Sequence, residues 1–112
     1  MSATVQKIVL AAALAALPAI VLAAGNAESG KAKAGQVCAA CHGPEGNKPS
    51  APDQPVLAGQ HPDYLIQALS DYKSGKRSNP IMKGFAAQLS RQDMEDLAAW
   101  FSLQKTSLHD QR

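Results

Sequence analysis

Three parts of the sequence have the pattern of helices, and no segment alternates apolar and polar residues convincingly enough to be a strand. The first part follows Asn26, a good N-cap residue, and continues to Cys38. The second begins at Pro62, a residue that suits the first position of a helix, and ends near Gly75. Between these limits its apolar residues fall at helical spacing and form one face, which predicts a helix packed against a core.

The third part begins after Ser90, which resembles a capping box together with Asp93. It runs to about Leu103, and its inward-facing side chains are predicted to be Leu97, Trp100 and Phe101. The polar residues 104–112 that follow are expected to fray. The pattern therefore predicts an all-α fold with three main helices joined by loops.

Prolines and glycines interrupt the sequence between these helices. Residues 43–60 contain too many such breakers for a helix and are predicted to be a loop. A second break occurs at Ser78-Asn79-Pro80, and residues 81–89 are predicted to be a short irregular or helical piece. Gly30 and Gly35 would each weaken the first helix by about 1 kcal/mol relative to Ala, which suggests a close contact with another helix. For Gly35, chance occurrence of a small residue is an equal alternative.

The N-terminus has the pattern of a secretory signal peptide. Lys7 provides one positive charge, and Ile8 to Ala24 contains no charged or polar side chain. Small residues end this run, which predicts export to the periplasm with cleavage after Ala23, and cleavage after Ala24 as the close alternative. The run is at the lower limit of the roughly 17–25 residues that cross a bilayer, so an uncleaved membrane anchor is the alternative. No membrane span is expected after cleavage.

Composition is consistent with one small domain, residues 24–103, followed by the polar tail 104–112. The chain has 11 Lys and Arg residues against 9 Asp and Glu residues, and removal of Lys7 would leave a net charge of +1. No strong basic field is present, so nucleic acid is not expected as a partner. One Trp, two Tyr and two Phe make a thin core, so we expect a chain without a bound cofactor to fold poorly.

The strongest chemical signal is the C-x-x-C-H motif at residues 38–42, which uses both cysteines of the chain. The thiols of Cys38 and Cys41 can form thioethers to the two vinyl groups of one porphyrin. His42 would then lie under the ring, where its imidazole can ligate the iron. The motif therefore predicts one covalently attached haem c.

Other uses of the two cysteines are less well supported. A structural zinc site needs about four ligands, and His61 and His109 are the only histidines outside the motif. A thioredoxin-like redox pair would be expected beside alternating strands and helices, which the sequence does not indicate. A disulfide across two intervening residues remains possible, but it would constrain little of the chain.

The residue on the other side of the iron decides the chemistry. Met94 lies inside the third helix and is assigned to packing, whereas Met82 follows Pro80, after a break that lets the chain cross the haem face without a helix. A thioether is a soft, neutral ligand that raises the reduction potential relative to a second imidazole. We predict Met82 as the sixth ligand. His61 is the rival candidate, and its place at a helix start favours a structural role.

Four stretches of the chain resemble small bacterial class I cytochromes c, of the cytochrome c-553 type and the half-domains of dihaem cytochrome c4. In order, these stretches are Val37–Gly43, Leu57–Leu65, Asn79–Met82 and Leu97–Phe101. The resemblance covers most of the predicted mature chain. The chain departs from the two-domain relatives in having a single C-x-x-C-H motif, which indicates a monohaem protein.

The resemblance implies a class I cytochrome c fold, with three main helices and loops wrapped around one covalent haem. It implies that the first and last helices cross near Gly30 and Trp100. It also implies His42 and Met82 as axial ligands, with a carbonyl of the proline loop, that of Pro55, accepting the ring N–H of the histidine.

With both axial positions filled, no substrate can reach the metal, so the predicted function is one-electron transfer and not enzymatic catalysis. The protein is expected to be a monomer that docks transiently with redox partner proteins. The candidate docking rim consists of Lys48, Lys73, Lys76, Arg77 and Lys83. Two alternatives remain: a haem-bearing electron-entry subunit of a larger membrane oxidase or dehydrogenase complex, and a haem sensor or enzyme with a labile sixth ligand.

Overall fold

The computed structural model describes residues 25–108, and all regular elements in that range are helices. They are α1 (Ala27–Val37), α2 (Ala39–His42), α3 (Pro62–Ser74), α4 (Pro80–Ala86) and α5 (Arg91–Ser102). Helices α1, α3 and α5 have 11, 13 and 12 residues, and α2 and α4 have 4 and 7. The all-α prediction with three main helices is confirmed. The predicted signal peptide, His109 and the end of the tail lie outside the described residues.

The ends of the long helices follow from the capping residues. The side chain of Asn26 accepts a hydrogen bond from the backbone N–H of Ser29 at 2.9 Å. Ser90 and Asp93 form a reciprocal capping box, in which each side chain accepts from the backbone N–H of the other residue. Helix α3 ends before Gly75, which has a left-handed backbone conformation. These boundaries agree with the sequence predictions.

The segment that carries Met82 is helical, and this corrects the prediction that Met82 approaches the haem face without a helix. The side-chain oxygen of Asn79 accepts from the backbone N–H groups of Ile81 and Met82, both at 3.0 Å. Pro80 occupies the first helical turn. An asparagine cap followed by proline begins a helix as readily as it breaks one. Met82 therefore lies in the first turn of α4.

Helices α1 and α5 are in close contact at Gly30. A β-carbon on Gly30 would lie 1.9 Å from the carbonyl oxygen of Asp96 and 2.9 Å from Cβ of Trp100. This confirms the crossing near Gly30 and Trp100. Gly35 is different, because a β-carbon there would meet nothing within 4 Å. The suggested helix contact at Gly35 is therefore wrong, and chance occurrence of a small residue describes that position.

The core lies along α5, which packs against α1 and α3, while α4 packs mainly against α3. Its larger buried side chains are Leu65, Leu89, Met94, Leu97 and Phe101. Trp100 is only partly buried, and its indole N–H donates to the carbonyl of Pro44 at 3.0 Å. The prediction that Trp100 faces inward is thus only partly correct. Among residues 25–108, no helix is both long and apolar enough to span a membrane.

Candidate haem-attachment site

The cysteine–histidine motif occupies a single helical turn at the end of α1. The backbone N–H of Cys38 donates to the carbonyl of Ala34 at 2.9 Å, which closes α1. The N–H groups of Cys41 and His42 then donate to the carbonyl of Cys38 at 3.3 and 3.0 Å. Since residues three and four apart share a face of a helix, this turn brings both thiols and the imidazole to one side. Both thiols are free and partly buried.

The thiol of Cys38 lies in an apolar environment. Burial, and secondarily the neighbouring Cys41, raises the pKa of Cys38 from 9.0 to about 11. Catalytic thiols of redox pairs have lowered pKa values instead, so this environment does not support a thioredoxin-like activity. Zinc is not supported either, because within residues 25–108 no group of three or more His, Cys, Asp or Glu side chains is arranged to hold a metal ion. The raised pKa favours the neutral thiol of Cys38 over its thiolate.

The proline-rich loop folds back over this turn. The backbone N–H of Ser50 donates to the carbonyl of Cys41 at 2.9 Å, and that of Lys48 donates to the carbonyl of His42 at 3.3 Å. The ring nitrogen Nδ1 of His42 lies 2.9 Å from the carbonyl oxygen of Pro55. The loop therefore contacts both the backbone and the imidazole of the motif.

The contact with Pro55 determines the tautomer of His42. A carbonyl oxygen can only accept, so Nδ1 of His42 must donate and carries the ring proton. In the neutral ring, Nε2 then has a lone pair, which is the form that binds a metal. His42 is also 94% shielded from solvent, with 6% of its surface exposed. Two free thiols and an oriented imidazole on one helical turn fit the donor set that a covalent haem requires.

The loop packs against α5 at Gly46. Within the loop, the carbonyl of Gly46 accepts from the backbone N–H groups of Leu57 and Ala58 at 2.7 and 3.1 Å. Its φ angle is +74°, and a β-carbon there would lie 2.7 Å from Cδ1 of Phe101. Only glycine combines this conformation with so close an approach of the aromatic ring. The sequence indicated a loop here, but no local pattern indicated what the loop would pack against.

The other candidate ligands lie in different environments. Met94 is 3% exposed within the core, and the hydroxyl of Ser70 donates to its sulfur at 3.5 Å, so its assignment to packing is confirmed. Met82 is partly buried on α4 and is not a member of the core cluster. His61 is exposed at the N-cap of α3. The structure thus brings Cys38 and Cys41 together with His42 and Pro55, and ligation by Met82 stays a prediction.

Two basic residues of the candidate docking rim make contacts within the protein that the sequence did not indicate. The Nζ of Lys73 donates to the carbonyl of Leu89 at 2.5 Å. The guanidinium of Arg77 stacks over the ring of Tyr72, and its Nη1 donates to the hydroxyl of Tyr64 at 3.3 Å. The two tyrosines are eight residues apart, which places both toward one face of a helix. This spacing was the only sequence signal for the contact with Arg77. Lys73 and Arg77 are therefore used in part by the fold itself.

Comparisons with known proteins agree with this site. Residues 27–104 match the family Cytochrome c. Cytochrome c4 of Pseudomonas aeruginosa is 51% identical over 86 residues, which cover 77% of this chain and 42% of that protein. Cytochrome c-554(548) of Halomonas halodenitrificans is 39% identical over 85 residues, which cover 73% of this chain and 100% of that protein.

A solved structure shows the same fold. The crystal structure of reduced recombinant cytochrome c4 from Pseudomonas stutzeri matches with a TM-score of 0.69 and 46% identity, over 76% of this chain and 48% of that one. The chain therefore belongs to the cytochrome c family, with a class I fold and covalently bound haem c as its cofactor. It spans less than half the length of these cytochrome c4 proteins and matches cytochrome c-554(548) over its whole length.

Proposed function

We propose that this protein is a periplasmic one-electron carrier whose haem iron is ligated by His42 and Met82. The observation that carries the proposal is the 2.9 Å contact between Nδ1 of His42 and the carbonyl of Pro55, beside two free thiols. When bound, the haem supplies a one-electron couple between ferrous and ferric iron. The names of the relatives, cytochrome c4 and cytochrome c-554(548), support the same class of function.

Each residue of the site has a defined role in this proposal. Cys38 and Cys41 would hold the porphyrin through thioethers, and His42 would provide Nε2 to the iron. Pro55 holds the imidazole in orientation through the hydrogen bond at Nδ1. Met82 would provide its sulfur as the second ligand of the iron, which would leave no position for a substrate or a gas. The protein is then a carrier and not an enzyme.

Electron transfer also requires a surface that partners can approach. We propose that the protein acts as a monomer and docks transiently with redox proteins, through an interface below about 1,200 Å². All five residues of the proposed rim are exposed, and Lys73 and Arg77 also make contacts within the protein. An acidic surface on the partner would complement them.

Visible spectra of the purified protein in both redox states test the axial ligation. We expect low-spin spectra and, in the oxidised protein, the weak long-wavelength band of a bond between sulfur and ferric iron. A high-spin spectrum would contradict ligation of the iron on both sides and favour a sensor or enzyme. Binding of carbon monoxide to the native reduced protein, at neutral pH and without denaturant, would do the same. Acid–acetone extraction should leave the haem with the protein, because thioethers are covalent.

The domain boundaries and the export step form part of the proposal. We propose that residues 1–23 are removed as a signal peptide, that residues 24–103 form the haem domain and that residues 104–112 are a tail. The family match over residues 27–104 supports the extent of the domain. Mass spectrometry of the mature protein should show a chain that begins at Ala24 or Gly25 and carries one haem. An intact N-terminus in the membrane fraction would instead favour an anchored subunit of a larger complex.

A further inference from the structure

Arg77 lies in the short connection between α3 and α4, residues 75–79, and is attached to α3 in three ways. Its guanidinium lies over the ring of Tyr72, with 4.9 Å between the central carbon and the ring centroid. Its Nη1 donates to the hydroxyl of Tyr64 at 3.3 Å. Its backbone N–H donates to the carbonyl of Asp71 at 3.1 Å. The middle of the connection is therefore fixed to the helix that precedes it.

The chemistry of this contact is specific to arginine. A planar guanidinium can stack on one tyrosine ring while an N–H at its edge donates to the hydroxyl of a second tyrosine. The ammonium of a lysine is compact and cannot offer both contacts in this geometry. The hydrogen bond to Tyr64 raises the pKa of Arg77, in keeping with a contact that favours the charged form.

The connection determines where α4 begins. Two residues after Arg77, Asn79 caps the first turn of α4 and accepts from the backbone N–H of Met82 at 3.0 Å. Helix α4 packs mainly against α3 and is not part of the α1–α5 contact. The position of Met82 relative to the rest of the domain thus depends on the connection 75–79 and on the α3–α4 contact.

We infer that Arg77, through Tyr64 and Tyr72, is a positioning residue that keeps the sulfur of Met82 at the haem iron. This inference rests on the proposed ligation by Met82. When the contacts of Arg77 are removed, α4 separates from α3 more often, and Met82 leaves the iron more often. An added ligand then competes with Met82 more successfully.

The test is a titration of oxidised holoprotein with imidazole, followed by the visible spectrum. We expect Arg77→Gln to bind imidazole at least about threefold more tightly than the wild type, which is the size expected for an exposed cation–π contact. Arg77→Lys should restore part of the difference, because the charge remains. Tyr64→Phe should increase the affinity for imidazole less than Arg77→Gln does, because it removes only the hydrogen bond at the hydroxyl.

Two control variants separate positioning from general stability. Arg91 is an exposed arginine on α5 that pairs with Glu95 at 2.8 Å, so Arg91→Gln removes a similar side chain away from α4. Asn26→Ala removes the cap of α1 and should lower the unfolding midpoint. Neither control should change the affinity for imidazole.

The outcomes distinguish the inference from the function on which it rests. If the wild type lacks the sulfur–iron band, ligation by Met82 is wrong and the inference is wrong with it. If the band is present but Arg77→Gln binds imidazole as the wild type does, the inference alone is overturned. An equal gain in Asn26→Ala would also overturn it, because the effect would then reflect global stability.

Discussion

At the scale of single residues, one neutral carbonyl prepares His42 for its role. The hydrogen bond from Nδ1 to Pro55 leaves the lone pair at Nε2 and limits rotation of the ring. A carboxylate in the same place would add a negative charge to a buried site, whereas the carbonyl orients the ring without one. The backbone of the proline-rich loop therefore contributes directly to the chemistry of the site.

The two methionines of the haem domain should respond differently to the same substitution. We expect Met82→Ala to abolish the sulfur–iron band of the oxidised protein, to lower the reduction potential and to allow imidazole to bind the iron. Met94 is 3% exposed in the core, so Met94→Ala should keep the band and lower the free energy of unfolding by about 2–5 kcal/mol. Visible spectroscopy and urea unfolding of both holoproteins measure these effects. Survival of the band in Met82→Ala would contradict the axial assignment.

The sequence indicated the thiols and the histidine because their spacing is itself the chemical requirement. The contact with Pro55 was implied by the resemblance to cytochromes c and not by any local pattern, since Pro55 is 13 residues from His42. The interactions of Arg77 and Lys73 were not predicted, because a basic side chain on a protein surface is usually solvated. Such contacts depend on how α3, α4 and α5 pack, which the composition of each segment does not specify.

At the scale of helices, the contact between α1 and α5 depends on Gly30, and Gly35 provides a matched control on the same helix. A β-carbon on Gly30 would overlap the backbone of Asp96, so Gly30→Ala should cost about 1–3 kcal/mol of unfolding free energy. Gly35 is exposed with open space around it, so Gly35→Ala should add about 0.5–1 kcal/mol. Thermal and urea unfolding of the holoproteins measure both changes. Equal effects at the two positions would contradict the crossing geometry.

The capping box of α5 should make part of the stability depend on pH. The backbone N–H of Ser90 is the main group that lowers the pKa of Asp93, with Lys33 contributing less. A lowered pKa stabilises the fold above the unfolded-state value of about 3.9, and this contribution disappears as the pH falls through the lower folded-state pKa. Asp93→Asn should therefore be less stable than the wild type near neutral pH.

The difference between Asp93→Asn and the wild type should shrink steadily as the pH falls below about 4. Urea unfolding at a series of pH values measures this difference. Asp53 is an exposed carboxylate in the loop, so Asp53→Asn controls for the loss of one negative charge. A difference that is constant down to about pH 2 would show that the stabilisation comes from geometry and not from the charge of Asp93.

Helix boundaries were predictable where capping groups lie within three residues of each other, as for Ser90 and Asp93. The same local chemistry was misjudged at Asn79-Pro80, where cap and proline begin α4 instead of breaking the chain. Proline at a helix start and proline in a loop look alike in sequence, and contact with α3 favours the helix here. The predicted inward position of Trp100 failed in part because its N–H requires a partner, the carbonyl of Pro44.

At the scale of the whole molecule, the described part of the protein buries few large apolar side chains. Within residues 25–108, four of the nine buried apolar residues are alanines, and Leu97 is the only large side chain there with less than 2% of its surface exposed. Several large apolar residues are exposed, among them Ile81 at 67% and Phe85 at 40%. A domain of this size is marginally stable even with an ordinary core. The covalent haem is therefore expected to be a structural part of the fold as well as its redox centre.

A chain that cannot attach haem should consequently lose its fixed tertiary structure. We expect the double variant Cys38→Ala/Cys41→Ala to show weak near-UV circular dichroism, reduced helix content and no cooperative unfolding transition. Met82→Ala is the matched control, because it retains the haem in the core and should keep a cooperative transition. Circular dichroism and urea unfolding measure both proteins under identical conditions. A cooperative transition in the double variant with a midpoint near that of the holoprotein would show that the helices support one another without the haem.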